Sequence, residues 1–147
     1  MSNFEFPILY TFRRCPYAMR ARFVLRYTFK NIELREIKLQ NKPKDFLSTS
    51  PKGTVPVLVL STKEVLDQSL NIMMWCLKYS DNSKASDLKN NLPNDFLDQI
   101  KNLDDEFKIN LDKYKYPSRF EGSDKYFFRD KNIKFLKNLE EKLKNSI

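Results

Sequence analysis

The run Ile8-Leu9-Tyr10-Thr11-Phe12-Arg13-Arg14-Cys15-Pro16-Tyr17-Ala18-Met19-Arg20-Ala21-Arg22 decides how this chain folds. With Pro7 ahead of it, the segment up to Phe12 is a compact apolar stretch with β-formers, which reads as a buried strand. Arg13-Arg14-Cys15 makes a short turn. Pro16 then stands where a first helical residue would, because its missing N–H costs nothing there. Ala18, Met19, Phe23, Val24 and Tyr27 follow at helical spacing. A strand is therefore expected to hand over to a helix through a turn that ends on a cysteine.

Working outward, Ile32, Leu34, Ile37 and Leu39 interleave with charges, and residues 33–39 read as a second extended run. Asn41-Lys42-Pro43 opens a short helical stretch around Phe46 and Leu47, and Ser50-Pro51-Lys52-Gly53 breaks it. Val55-Pro56-Val57-Leu58-Val59-Leu60 reads as a third strand, with Ser61-Thr62-Lys63 as a hairpin turn into Glu64-Val65-Leu66. Asp67-Gln68-Ser69 precedes a helix carrying Ile72, Met73, Trp75, Cys76 and Tyr79. The order β-α-β-α-β-β-α over residues 1–80 suits one small α/β domain. It predicts a parallel sheet with crossovers that ends in an antiparallel hairpin.

Residues 81–93 are polar and read as an interdomain linker. Residues 94–147 read as a partial all-α domain. Phe96, Ile100, Leu103, Phe107 and Leu111 mark one amphipathic helix, and Ile133, Leu136, Leu139 and Leu143 mark another that runs to about Ser146. The stretch 114–123, with Pro117 and Gly122, separates them. Two such helices cannot enclose a bundle core, so apolar surface is expected to stay open for self-association. There is no internal repeat.

Composition prunes the chemistry. The chain has 147 residues, 41% of them hydrophobic and 14% aromatic, which is enough to bury a core. No run approaches the roughly 18 apolar residues of a membrane span. The first seven residues lack the basic and apolar regions of a signal peptide, so a cytoplasmic protein without a membrane partner is expected. Without histidine, no Ser/His/Asp or Cys/His hydrolase can be assembled from this chain. Two cysteines far apart exclude a four-cysteine zinc site and a C-x-x-C redox pair. Two glycines, Gly53 and Gly122, exclude the G-x-G-x-x-G turn and the P-loop. The net charge is +8, and residues 1–84 hold 14 basic and 7 acidic side chains of the total. That excess fits nucleic acid, a membrane surface or a small anionic ligand, and a lysine-rich background composition accounts for it as well as those three together.

Cys15 carries the chemistry. A cysteine between a strand and a helix sits at the helix N-terminus, where the partial positive charge favours thiolate over thiol. Arg13 and Arg14 upstream would add to this. The bland alternative is a small buried hydrophobe, the usual fate of a free cysteine. Ser69 reads as a helix cap, Lys42 as a surface lysine, and Val55-Pro56 as the start of a strand. Tyr10, Trp75 and Cys76 read as packing residues.

The run from Ile8 to Arg22, followed by Lys42-Pro43, Gly53-Thr54-Val55-Pro56-Val57-Leu58 and Gln68-Ser69, resembles the N-terminal domain of cysteine-type glutathione transferases, the omega class and its bacterial relatives. The resemblance covers residues 7 to about 80. It implies a thioredoxin-like fold, with glutathione as cosubstrate and no metal. Cys15 becomes the nucleophile. Val55, ahead of a cis-proline, would pair with the glutathione backbone as an added strand does. Gln68 and Ser69 would hold the γ-glutamyl end at a helix N-terminus, and Lys42 would meet the glycyl carboxylate. Glutamate is the more familiar residue at the Gln68 position, so the ammonium contact lacks charge assistance here. The implied activity is a thiol transfer through a mixed disulfide on Cys15, with a small electrophile or disulfide as second substrate. Nucleic acid is not an expected partner, and a homodimer is. A non-catalytic interaction module on the same fold and an inactive truncated fragment remain the alternatives.

Overall fold

The computed structural model describes residues 5–29, 31–122 and 124–144. Every residue of β1 (Ile8–Thr11) is buried, which demands neighbours on both sides and cover on both faces. The sheet order supplies the neighbours: β2 (Glu33–Glu36), β1, β3 (Val57–Val59), β4 (Val65–Asp67). β1 and β2 are parallel, with Ile8 opposite Glu33 and Thr11 opposite Glu36. β3 is antiparallel to β1, with Leu9 opposite Leu58, and β4 is antiparallel to β3. The expected parallel sheet thus narrows to one parallel pair. The segment between β2 and β3, which includes the six-residue α2 (Lys44–Thr49), brings the chain back along β1 in the opposite sense.

The two faces of the sheet are covered differently. Ile8, Tyr10, Val57 and Val59 form one cluster with Ile37 and with Phe46 of α2. Leu9 and Leu58 alternate to the other face, where α1 (Pro16–Thr28) and α3 (Ser69–Tyr79) pack against each other. The buried residues of the two helices are Ala18, Ala21, Val24 and Leu25, with Thr28, on α1 and Ile72, Met73, Cys76 and Leu77, with Ser69, on α3. Met19, Phe23 and Tyr27, expected on the packed face, form an exposed stripe instead. The buried face of α1 carries Ala18, Ala21, Val24 and Leu25, and the aromatic Phe23 and Tyr27 turn away from it. This is the thioredoxin-like β-α-β-α-β-β-α order.

Residues 81–93, expected to be a linker, contain a helix, α4 (Ser83–Asn90). Its start is fixed by Asn82, whose side chain accepts from the Lys84 backbone N–H at 3.0 Å. Ala85 is fully buried, and α4 packs on α1 and α3. Ser80 Oγ also donates to the Thr28 carbonyl at 2.7 Å. Ala85 and the half-buried Leu88 face inward, and the remaining residues of the helix are exposed. The division between the two compact units falls after Asn91.

In the second unit, α5 (Phe96–Asn102) passes through a π-helical segment, Leu103–Phe107, into α6 (Lys108–Lys115). A 3₁₀ turn at Pro117–Arg119 precedes α7 (Lys125–Lys144). α6 and α7 pack side by side, with Phe107 and Phe135 ring centroids 5.0 Å apart. Lys142 Nζ bridges to Asp95 at 2.5 Å. The expected stripe on α7 is displaced. Ile133, Leu136 and Leu143 are exposed, while Asn132 is buried and Phe128, Phe135 and Leu139 are half-buried. A polar residue in the seam hides it from hydrophobic periodicity. Ser146, the expected end of this helix, lies outside the described residues. Among the described residues no helix is long and apolar enough to cross a membrane.

Candidate active site

Cys15 occupies the N-cap of α1, in extended conformation, with Pro16 as the first helical residue. The turn closes through Cys15 N–H donating to the Phe12 carbonyl at 3.0 Å, and the helix opens with Met19 N–H donating to the Cys15 carbonyl at 2.9 Å. The sulfur is half-buried and stands 3.7 Å from the carbonyl oxygen of Val55. The Val55–Pro56 peptide bond is cis.

The bracing of this turn comes from a residue that the sequence reading passed over. Arg22, two turns along α1, reaches back with Nη1 to Thr11 Oγ1 at 2.6 Å and the Phe12 carbonyl at 3.2 Å, and with Nη2 to the Arg13 carbonyl at 3.0 Å. Arg13 and Arg14, expected to assist the thiol, are both exposed, and the Arg14 guanidinium lies 5.9 Å over the Phe12 ring. Arg13 contributes its backbone N–H, which donates to Glu36 Oε1 at 2.6 Å.

A groove of about 480 Å³ opens at this turn. Cys15, Tyr17, Val55 and Pro56 line it, together with Lys42, Gly53, Gln68 and Ser69. Cys15, Lys42, Val55, Gln68 and Ser69, the site residues expected from sequence, therefore line one groove, whereas Arg13 and Arg14 do not. Gly53 is required there. Its φ of +60° favours glycine, and a Cβ would stand 3.2 Å from Leu47 Cδ2 and 3.3 Å from Lys42 Nζ. The Lys42 chain thus lies across the bare backbone of Gly53.

Ser69 is not the helix cap. Gln68 is the N-cap of α3, at φ +71° and without a side-chain cap bond, and Ser69 is the first helical residue. A non-glycine residue held at positive φ is uncommon and recurs at ligand clamps. Ser69 Oγ instead accepts a hydrogen bond from Arg20 Nε at 2.8 Å. Tyr10 is core: it is buried, with its ring 5.1 Å from Phe46 and its hydroxyl accepting from Arg35 Nη1 at 3.3 Å. Cys76 is fully buried, and burial pushes its thiol up to about 12. A larger hollow on the exposed face of α1 is lined by Met19, Phe23, Tyr27, Arg22, Arg26 and Lys84. No cysteine is among its lining residues.

The groove offers a sulfur at a helix N-terminus, a backbone carbonyl beside it, a lysine, and a second helix N-terminus with a serine. That set fits a small peptide with a thiol between two anionic ends.

Comparison with known proteins agrees with this geometry. Human glutathione S-transferase omega-2 is 36% identical over 62 residues, which are 42% of this chain and 26% of that protein. The match thus spans about a quarter of the curated relative. Among solved structures, the unclassified glutathione S-transferase 2 of Bombyx mori superposes with a TM-score of 0.73 at 19% identity, over 96% of this chain and 68% of that one. A glutathione S-transferase of Methylobacillus flagellatus, solved with GSH bound, gives 0.69 at 19% identity, over 94% and 70%. At that identity the two structures speak for the fold. The family model described as glutathione S-transferase, N-terminal domain, matches residues 9–83, half of the sequence and the whole of the groove, and the chain belongs to that family.

Proposed function

We propose that this chain is a glutathione-dependent thiol transferase that works through Cys15. The observation that carries the reading is the placement of the Cys15 sulfur at the N-cap of α1, facing the Val55 carbonyl at 3.7 Å inside the groove. In the first step the Cys15 thiolate attacks the glutathione sulfur of a mixed disulfide. A Cys15–glutathione disulfide forms, and the other thiolate leaves and takes a proton from water. In the second step the thiolate of a free glutathione attacks the glutathione sulfur held on Cys15. Oxidised glutathione leaves and the Cys15 thiolate is restored. The net exchange converts the mixed disulfide and one glutathione thiol into a free thiol and oxidised glutathione; the transferred glutathionyl sulfur stays at the disulfide level throughout, and no metal is needed.

Each groove residue has a task in this reading. Lys42 meets the glycyl carboxylate, and the Val55 backbone pairs with the cysteinyl peptide unit. Gln68 and the start of α3, with Ser69, receive the γ-glutamyl end. The relation to the omega-class proteins and the GSH-bound neighbour supports glutathione as the ligand. The test is a thioltransferase assay with a small glutathione mixed disulfide on wild type and Cys15→Ser. Activity should fall to the uncatalysed background in the variant. A variant as active as wild type would refute the role of Cys15, and an inactive wild type that still binds glutathione would favour a binding module.

A further inference from the structure

The contact between Arg20 and Ser69 sets which charge this end of the groove accepts. A serine hydroxyl has one hydrogen to give and lone pairs to receive. Arg20, on α1, donates from Nε to Ser69 Oγ at 2.8 Å. A guanidinium has donors and no acceptor, so Ser69 cannot return the bond and its own hydrogen must point elsewhere. Ser69 is 3% exposed and lines the groove. The guanidinium is itself held over the Tyr17 ring, 5.1 Å from its centroid, so the donor has a fixed direction. The first turn of α3 carries no acidic side chain, and its N-cap, Gln68, is neutral.

We propose that Arg20 is a positioning residue that locks the Ser69 hydroxyl as a donor into the groove, so that this end selects a carboxylate over an ammonium group. The inference rests on the glutathione reading above, where the group selected is the α-carboxylate of the γ-glutamyl unit. Three features then act on that carboxylate together: the Ser69 O–H, the free N–H groups of α3, and the positive end of the helix. Arg20 acts through Ser69 and also brings a positive charge up behind it. A lysine at this place would carry the charge without the directed fork.

The experiment compares glutathione with an analogue lacking only the γ-glutamyl α-carboxylate, by calorimetry on the full chain. Wild type should bind glutathione about tenfold tighter than the analogue, the worth of a hydrogen bond to a charged group. Arg20→Met should reduce that preference by weakening glutathione alone, raising KM for glutathione while kcat holds, with the N–H groups and positive end of α3 keeping the remainder. Arg20→Lys should recover part of the loss. Ser69→Ala should lose a similar share, and adding Arg20→Met to it should cost much less than Arg20→Met costs in wild type. Should Arg20→Met fail to fold, Ser69→Ala decides alone. Equal weakening of both ligands by Arg20→Met, or an undiminished preference in Ser69→Ala, overturns the proposal. So does a wild type that binds both ligands alike, which leaves the glutathione reading standing. A wild type that binds neither ligand overturns the glutathione reading itself, and this inference with it.

Discussion

The sulfur of Cys15 lies 3.7 Å from the carbonyl oxygen of Val55, although forty residues separate them in the chain. The sheet makes this meeting inevitable. β1 and β3 are antiparallel neighbours with Tyr10 opposite Val57, so the turn that leaves β1 and the loop that enters β3 emerge at the same end. The nucleophile and a strand-like backbone edge are thus presented together, on two elements whose register is fixed by buried residues.

The two cysteines should therefore behave differently. Cys15 is half-buried at a helix N-terminus beside a groove, and Cys76 is enclosed between α3 and its neighbours. Iodoacetamide at neutral pH, followed by mass mapping, should modify Cys15 first and leave Cys76 intact until the chain unfolds. Equal labelling of the folded protein, or labelling of Cys76 ahead of Cys15, would remove the basis for the proposed mechanism.

Much of this site was legible in the sequence because its parts are local signals. A strand, a turn, a cysteine and a helix-starting proline follow one another without interruption from Ile8 to Pro16. Lys42, Val55, Gln68 and Ser69 came from the resemblance, and the fold brings all four to the groove of Cys15. What stayed hidden depends on direction. Arg20 and Arg22 are two of the 14 basic residues in the first 84, and spacing does not tell which of them turns inward. Ser69 reads as a cap because serine favours that role, yet the N-cap falls one residue earlier, on Gln68, and Ser69 is the first helical residue. The α4 helix is hard to see because only Ala85 and the half-buried Leu88 turn inward from a polar stretch, and the α7 seam because Asn132 sits inside it.

Arg22 should matter to the turn out of proportion to its exposure. It ties Thr11, Phe12 and Arg13 to α1 with three hydrogen bonds from one guanidinium. Arg22→Met keeps much of the chain length and removes all three. The expected loss of stability is about 1.5–3 kcal/mol, the range for hydrogen bonds to a charged group, read by urea denaturation. Cys15 should also be alkylated at a different rate from wild type in the still-folded variant, because its turn is no longer held, while Cys76 stays protected. A variant as stable as wild type would mean that the turn holds itself.

Cys76 predicts a specific alkaline weakness. Burial raises its thiol from 9.0 to about 12 in the folded chain. Between those values the unfolded chain has released the proton and the folded chain still holds it, so folding binds more protons and stability falls as pH rises. Below pH 9 this group contributes no slope. Above it the slope approaches about 1.4 kcal/mol per pH unit. Lysines and tyrosines also titrate in this window, so the measurement is a comparison. Cys76→Ala should be less stable at pH 7, through the cavity it leaves, yet lose less stability than wild type between pH 9 and pH 11. Parallel pH profiles would show that the thiol is not the cause.

Gly53 joins the backbone requirement of the fold to the ligand requirement of the groove. Its φ of +60° costs any L-residue roughly 1–2 kcal/mol. A methyl group there would also press on Lys42 Nζ at 3.3 Å and on Leu47 Cδ2 at 3.2 Å, closer than ordinary van der Waals contact. The lysine amine is the end of a flexible chain and will move; the leucine sits on α2 beside the core residue Phe46. Gly53→Ala should therefore lower stability by about 1–2 kcal/mol from the backbone alone and shift Lys42 away from its place in the groove. Glutathione binding should weaken beyond what lost stability explains, because the folded fraction stays near unity after a change of that size in a stable domain. A ligand amidated at the glycyl carboxylate separates the two effects. It should bind the variant and the wild type alike, since it no longer asks for the lysine. If glutathione itself binds Gly53→Ala as tightly as wild type, Lys42 does not hold the carboxylate, and the assignment of that end of the groove fails.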